Sequence, residues 1–277
     1  MLKKSVVNLL GVVAFCMVCE PAQAQVNTEK LRKDNPTEGF SGFVGSSVAL
    51  RQGNTNRLRV DGGFRLQYET LQDVLVSETS TLTKKATNEL FFIVGELTFA
   101  EKETASGTDV YINKSFTHAR WTKMWFSSLG TEVFSQVQYN QSIRLQLRAL
   151  GGLGVRWAAI ESHFADLYLG TGYMYEHEVL DIDPPNDVTS SHRLTNYASL
   201  SVKFFEEKLN LINTAYAQPR IDEFSDYRII SESILSIAAM KNLSVGVTLN
   251  LRYDSDPPEE VSEKLDLELK NSIKITF

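Results

Sequence analysis

The sequence predicts an all-β protein: a transmembrane antiparallel β-barrel of about 12 strands in an outer membrane, with both termini periplasmic. Three observations lead there. Long stretches alternate apolar with charged residues, the connections between them are short and long in turn, and aromatic residues gather at the strand ends. Averages point elsewhere, because 277 residues with a net charge of −6, 43% hydrophobic content and a mean hydropathy of −0.17 describe an ordinary soluble chain. The averages hide a segregation by parity. Only the extreme N-terminus is apolar enough for a membrane helix, which excludes a helical membrane protein. With 16 Gly and 7 Pro against 15 Phe, 10 Tyr and 3 Trp, a collagen-like or mostly disordered chain is excluded as well.

Residues 1–24 read as a secretory signal peptide. Lys3 and Lys4 precede an apolar run from Val6 to Cys19, and Ala22-Gln23-Ala24 supplies a small-residue cleavage site. Phe15 and Val18 stand before the two cysteines where lipid attachment needs a small residue, which argues against a lipoprotein. Cys16 and Cys19 leave with the signal, so no disulfide, thiolate metal site or cysteine nucleophile is expected. The acidic balance suggests no nucleic-acid partner. Residues 25–39 form a polar segment with a place in the periplasm or in the lumen, and residues 40–277 form the barrel.

Four stretches carry the alternation most clearly. From Arg57 to Glu69, Leu58, Val60, Phe64, Leu66 and Tyr68 alternate with Arg57, Arg59, Asp61, Arg65, Gln67 and Glu69. From Ile143 to Trp157, Ile143, Leu145, Leu147, Ala149, Leu153, Val155 and Trp157 share one parity, and Arg144, Arg148 and Arg156 the other. Leu243 to Asp254 repeats the pattern, as does Lys264 to Phe277, where only Asn271 interrupts the oily face. A half-exposed soluble sheet alternates too, but its strands run about 5 or 6 residues. Runs of about 12 to 15 residues suffice for tilted strands that cross a bilayer. Weaker alternation places the others near 40–51, 86–100, 109–121, 126–140, 164–180, 193–205, 208–218 and 226–239.

Connections at Lys123-Met124, Ala158 to His163, Glu206-Glu207 and Lys241-Asn242 are short. Alternate ones at Glu101 to Thr108, Asp181 to His192, Pro219 to Ser225 and Ser255 to Glu263 are longer and acidic. Thr70 to Lys85 and Asn140 to Ser142 break the rule, one too long and one too tight. Tyr68, Trp121, Trp125, Trp157, Phe204 and Phe277 fall at periplasmic ends, and Tyr139, Tyr173, Tyr175, Tyr227 and Tyr253 at outer ends, as two interfacial girdles require. Ile273, Ile275 and Phe277 resemble the C-terminal signal by which barrels are recognised for insertion, which makes the barrel assembly machinery an expected partner alongside outer-membrane lipid and lipopolysaccharide.

The inner wall supplies the candidate site. Arg57, Arg59, Arg65, Glu132, Arg144, Arg148, Arg156, Asp166, Glu176, Glu178, Arg252 and Asp266 are candidate pore-lining residues. Inward residues must face inward residues, so a turn at 255–263 pairs Asp254 with Lys264, Arg252 with Asp266 and Thr248 with Lys270. The same reasoning around residue 161 pairs Arg156 with Asp166, and Arg144 with Glu176 or Glu178, and sets Gly152 and Gly154 beside Gly170 and Gly172. The glycines leave space on one wall. Paired charges make a plugged, structural barrel; arginines projecting into water make a narrow pore that favours small anions or solutes. Acidic side chains as numerous as the arginines favour the plugged or narrow reading.

An outer-membrane hydrolase is the alternative from a different class, with Glu176, Glu178 and His118 its candidates. Against it, His177 has the opposite parity and both glutamates have arginines within reach across a strand pair. A lone histidine is more often structural. Gly151-Gly152-Leu153-Gly154 lies within a strand rather than before a helix, so it is no phosphate loop. The acidic stretches Asp181 to Asp187 and Asp254 to Glu260 resemble weak Ca²⁺ sites, although such runs are more often solvated. No catalytic residue, metal or cofactor is expected.

Several segments together resemble a known family. Gly53-Asn54-Thr55-Asn56, the stretch Leu147 to Arg156, Gly172-Tyr173-Met174-Tyr175-Glu176, Tyr253-Asp254-Ser255-Asp256-Pro257-Pro258 and terminal Phe277 are similar to the YdiY-like family of salt-induced outer-membrane proteins. That resemblance spans nearly all of the chain after the signal. It implies an outer-membrane location in a Gram-negative bacterium and a barrel fold, in a family of unknown function, and it supplies no active site.

Overall fold

The computed structural model describes residues 38–53, 56–75, 83–104, 107–182, 187–205, 208–240, 243–257 and 263–275. The signal peptide, most of the polar segment and Phe277 lie outside them. Twelve strands form one antiparallel sheet in chain order: β1 (Gly39–Arg51), β2 (Arg57–Leu75), β3 (Thr83–Thr104), β4 (Gly107–Met124), β5 (Leu129–Asn140), β6 (Leu145–Glu161), β7 (Ala165–Leu180), β8 (Asp187–Phe204), β9 (Leu209–Pro219), β10 (Tyr227–Met240), β11 (Leu243–Asp254) and β12 (Leu265–Ile275). No α-helix occurs among the described residues. Every strand pairs with its neighbours in sequence, so β1 begins and β12 ends at one rim, called here the terminal rim.

The sheet curls around one face. Tyr197 on β8 donates its hydroxyl to Glu132 on β5 at 2.8 Å, and Arg228 on β10 donates to Glu176 on β7 at 2.7 Å. Each pair spans three interstrand steps, about 14 Å on a flat sheet. Only a strongly concave surface brings such residues together. The convex face is apolar and exposed, with Val44, Leu97, Val133, Leu153, Leu249 and Leu269 among its side chains. Tyr68, Trp125, Trp157 and Phe204 lie exposed near the terminal rim and Tyr175 toward the opposite one, whereas Tyr173, expected at an outer end, is exposed at the middle of β7. Tyr227 and Tyr253 stack at 5.5 Å beside the opposite rim.

Both irregular connections acquire a physical reason. Most of Thr70 to Lys85 is strand: β2 continues to Leu75 and β3 starts at Thr83, paired through a bulge at Thr70/Leu71. Gln72, Asp73, Lys85 and Thr87 put polar groups on both faces there, and hydrophobic alternation cannot report such a strand. The tight connection is a 3-10 turn, Gln141–Ile143. Asn140 caps it by accepting from the Ser142 amide at 3.0 Å, and Arg144 closes it in the left-handed region at φ 52°. Ile143 and Leu145, expected on the oily face, are therefore displaced. Ile143 lies in the turn, and bulges at Gln138/Asn140 and Leu145/Leu147 turn Leu145 inward, where it is fully buried.

Candidate functional site

The concave face holds two groups of charged side chains. Nearer the terminal rim, Glu132 is buried between Arg120 at 3.8 Å and Arg156 at 3.7 Å, and accepts from Thr122 at 3.1 Å. The Tyr197 hydroxyl bridges the cluster, donating to Glu132 and accepting from Arg156 at 2.7 Å. Aromatic rings pack around it. The Arg156 guanidinium lies 4.1 Å from the Tyr168 ring, Arg120 lies 5.5 Å from Phe134, and Tyr197 meets Tyr216 at 5.4 Å. Leu90, Phe92 and Val94 also point inward from β3 and pack against Phe116, so greasy side chains occupy the interior here as well as the exterior. His118 sits among Phe92, Phe116 and Phe134 at 5.8 to 6.4 Å between ring centres.

Eight residues along β6, roughly 26 Å of strand, stands the second group. Arg148 donates to Glu178 at 2.8 Å and lies 3.6 Å from Glu176. Arg228 donates to Glu176 and, at 2.9 Å, to Asp254, and lies 3.7 Å from Glu178. Arg193 grips Asp226 with two parallel bonds at 2.9 and 3.0 Å. Arg220 extends the chain of charges to the loop, 3.7 Å from Asp226 and bound to Asp222 at 2.8 and 2.9 Å. In that loop the Arg220 guanidinium holds the Asp222 carboxyl below its ordinary range. Arginines alternate with carboxylates throughout, so burial of each charge is offset by a neighbour of the opposite sign.

Glycines make room for the rings. A Cβ on Gly170 would lie 2.0 Å from the Tyr197 ring, and one on Gly152 would lie 2.3 Å from the Phe134 ring. Gly154 and Gly172 face one another with backbones too close for any side chain. The glycine patch is thus occupied rather than open, which corrects the expectation of a spacious wall.

Of the sequence-derived candidates, Arg65, Glu132, Arg148, Arg156, Glu176 and Glu178 are buried on the concave face. Arg65 donates to Gln67 and covers the Phe92 ring at 5.0 Å. Arg57, Arg59, Asp166, Arg252 and Asp266 share that face but are more exposed, and Arg59 folds back onto Asp61 at 2.9 Å. Arg144 is not on the wall, since it is the exposed end of the 3-10 turn, and Arg148 takes the place expected for it opposite Glu178. Arg156 faces Gly170 instead of Asp166, because the turn tightens to Ser162–Ala165 and a bulge at Ala158/Ile160 moves the register. For the last hairpin, Arg252 lies opposite Asp266 and Thr248 opposite Lys270, as expected.

Arg120, Arg193, Arg228, Tyr168 and Tyr197 escaped the sequence reading. Each shares parity with polar neighbours, as in His118, Arg120 and Thr122, but inward apolar residues such as Phe92 and Ile230 blur the contrast that would reveal them. The proposed enzyme residues are not brought together: His118 lies among phenylalanines, whereas Glu176 and Glu178 lie in the arginine network. His177 faces outward and bonds Ser190 at 2.9 Å. Parts of both acidic loops lie outside the described residues, and among those described no group of three or more His, Cys, Asp or Glu could hold a metal ion. Ile273 is exposed on the convex face.

Comparison with curated proteins and with solved structures found no match. Residues 44–277 match the family described as "Protein of unknown function, DUF481", the YdiY-like family to which the segments above bear resemblance. That match takes in every strand except the first few residues of β1, and the chain belongs to the DUF481 family.

Proposed function

We propose that this chain is an outer-membrane β-barrel of the cell envelope whose middle is braced shut, so that it serves as a structural or stress-related barrel and passes nothing larger than small ions. The apolar convex face meets lipid and lipopolysaccharide, the terminal rim faces the periplasm, and the barrel assembly machinery inserts it. In hydrocarbon an open sheet edge would leave backbone N–H and C=O groups without partners, so β1 and β12 pair with each other there.

The observation that carries this reading is the pair of ties across the concave face, Glu132 to Tyr197 and Glu176 to Arg228. Long side chains held by partners three strands away occupy the volume that a general porin leaves to water. The test is liposome swelling with purified protein. A disaccharide is expected to produce no swelling, and the combined change Glu176→Ser with Arg228→Ser is expected to raise permeability. Swelling by the unaltered protein at the rate of a general porin would overturn the reading.

A further inference from the structure

We infer that the outward face of β7 to β10 is the contact by which two copies of this chain pair in the membrane. This rests on the reading that the sheet closes in a bilayer. Between its rims the convex face should be apolar, since hydrocarbon satisfies no amide or hydroxyl. On β11, β12, β1 and β2 it largely is: Leu249, Leu267, Leu269, Val44, Val48 and Leu66 point outward, and Asn271 is the one outward amide between the rims among the described residues. The sector from β7 to β10 is different. Asn213 is the fifth of the eleven residues of β9 and pairs with Ser233, which pairs in turn with Leu249, so it lies outward at mid-strand. Its amide nitrogen donates to Ser233 at 2.8 Å and to Ser231 at 3.2 Å, and its side-chain oxygen has no donor among the described residues. Asn196, the tenth of the eighteen residues of β8, accepts from Thr171 on β7 at 2.7 Å. Toward the outer rim the polar band continues through Tyr173 and His192, bonded at 2.5 Å, and His177, bonded to Ser190 at 2.9 Å. Asn113 on β4 is outward too, but it lies level with the end of β5, beside Tyr139.

Lipid leaves such groups unmet, whereas a protein surface of the same depth and chemistry meets them. The outward residues of these four strands include no Asp, Glu, Lys or Arg among the described residues, so the surface does not select a charged partner. Each amide and hydroxyl both donates and accepts, so the surface complements itself across a two-fold axis. A second copy brings the same groups to the same depth. Ala198, Ala215 and Ser231 lie side by side across β8, β9 and β10, and side chains this small let a second wall approach to hydrogen-bonding distance. Four strands wide and as long as β9, the sector measures about 19 Å by about 36 Å. That is close to the area of about 800 Å² that each partner gives to a standard complex.

The experiment is sedimentation of the purified protein in detergent and oxidative cross-linking of cysteine variants in lipid vesicles. The sequence has no other cysteines than Cys16 and Cys19, both ahead of the barrel. Faster migration of unboiled samples on gels first establishes that each variant is folded. A dimer is expected, and Ser233→Cys should cross-link to its own copy at about ten times the yield of Val48→Cys on the opposite wall. Asn213→Leu should weaken pairing about tenfold, because a two-fold contact loses the hydrogen bonds of both copies, while leaving the unfolding midpoint of the barrel no lower. A monomer at every lipid dilution, equal cross-linking from Val48→Cys, or a dimer unmoved by Asn213→Leu overturns the pairing while leaving the barrel standing. So does a Ser233→Cys cross-link in whole membranes to a different protein alone. A chain that stays dissolved without detergent or lipid overturns both.

Discussion

The two charged groups of the interior are built on different principles. The one around Glu132 sets that carboxylate between two arginines and a tyrosine hydroxyl and surrounds them with rings, so packing contributes much of its order. The one around Glu176 balances arginines against carboxylates and contains almost no aromatic surface, so its order comes from charge. A barrel can thus be filled in two ways, and each fails differently. A packed group loses stability in proportion to the shape that is spoiled, whereas a charge network fails when one member leaves an opposite charge buried and unmatched.

Breaking the charge network should have the largest effect. Arg228→Met leaves Glu176 and Asp254 short of a partner and should destabilise by about 3 to 5 kcal/mol in denaturant titration of the folded barrel. Adding Glu176→Gln should restore much of the loss, and an unrestored double variant would count against a charge-based order. An arginine on the opposite face sharpens the contrast: Leu249→Arg should cost about 2 to 4 kcal/mol in lipid vesicles, and Asn250→Arg on the concave face much less. Equal costs would contradict the sidedness of β11.

Shape is tested next. Gly170→Ala drives a methyl group into the Tyr197 ring and should destabilise by about 1 to 3 kcal/mol. Tyr197→Phe keeps the ring and deletes the hydroxyl shared by Glu132 and Arg156, for about 1 to 2 kcal/mol. A Tyr197→Phe loss larger than that of Gly170→Ala would mean that polarity, not packing, orders this group. The smallest effect belongs to the exposed loop. The Asp222 carboxyl is held below its ordinary range, so the unfolded chain binds its proton more readily. Its contribution is present at neutral pH and fades as pH falls through the lowered value. Asp222→Asn should lower the plateau at pH 7 slightly, flatten the acid limb by the same amount, and leave stability at the acid end unmoved.

These differences explain how far the sequence could be read. Strand number and chain order were legible because the outward face of most strands is apolar, without a break in β11 and with only Asn271 interrupting it in β12. The register of the last hairpin was legible because Arg252 and Asp266 frame a turn of recognisable extent. Around residue 161 it was not, because Ser162 closes the turn with local bonds to Ala165 and a bulge absorbs an extra residue, neither of which leaves a mark in hydrophobic alternation. The charge network was partly legible, since Arg148, Glu176 and Glu178 share a simple parity. The packed group was largely hidden, since Phe92 and Phe134 carry apolar side chains into an interior where polarity alone was expected.

The glycine seats beneath Tyr197 and Phe134 have a consequence for assembly. A strand that slips by two residues keeps its faces correct, so the sidedness of apolar and polar residues cannot detect the error. Such a slip on β8 would carry the Tyr197 ring off Gly170 and, in one direction, onto Tyr168, another aromatic residue. Ring and hollow therefore act as a key and its lock along the strand axis, giving the folding chain a way to reject misalignment that oil and water cannot discriminate.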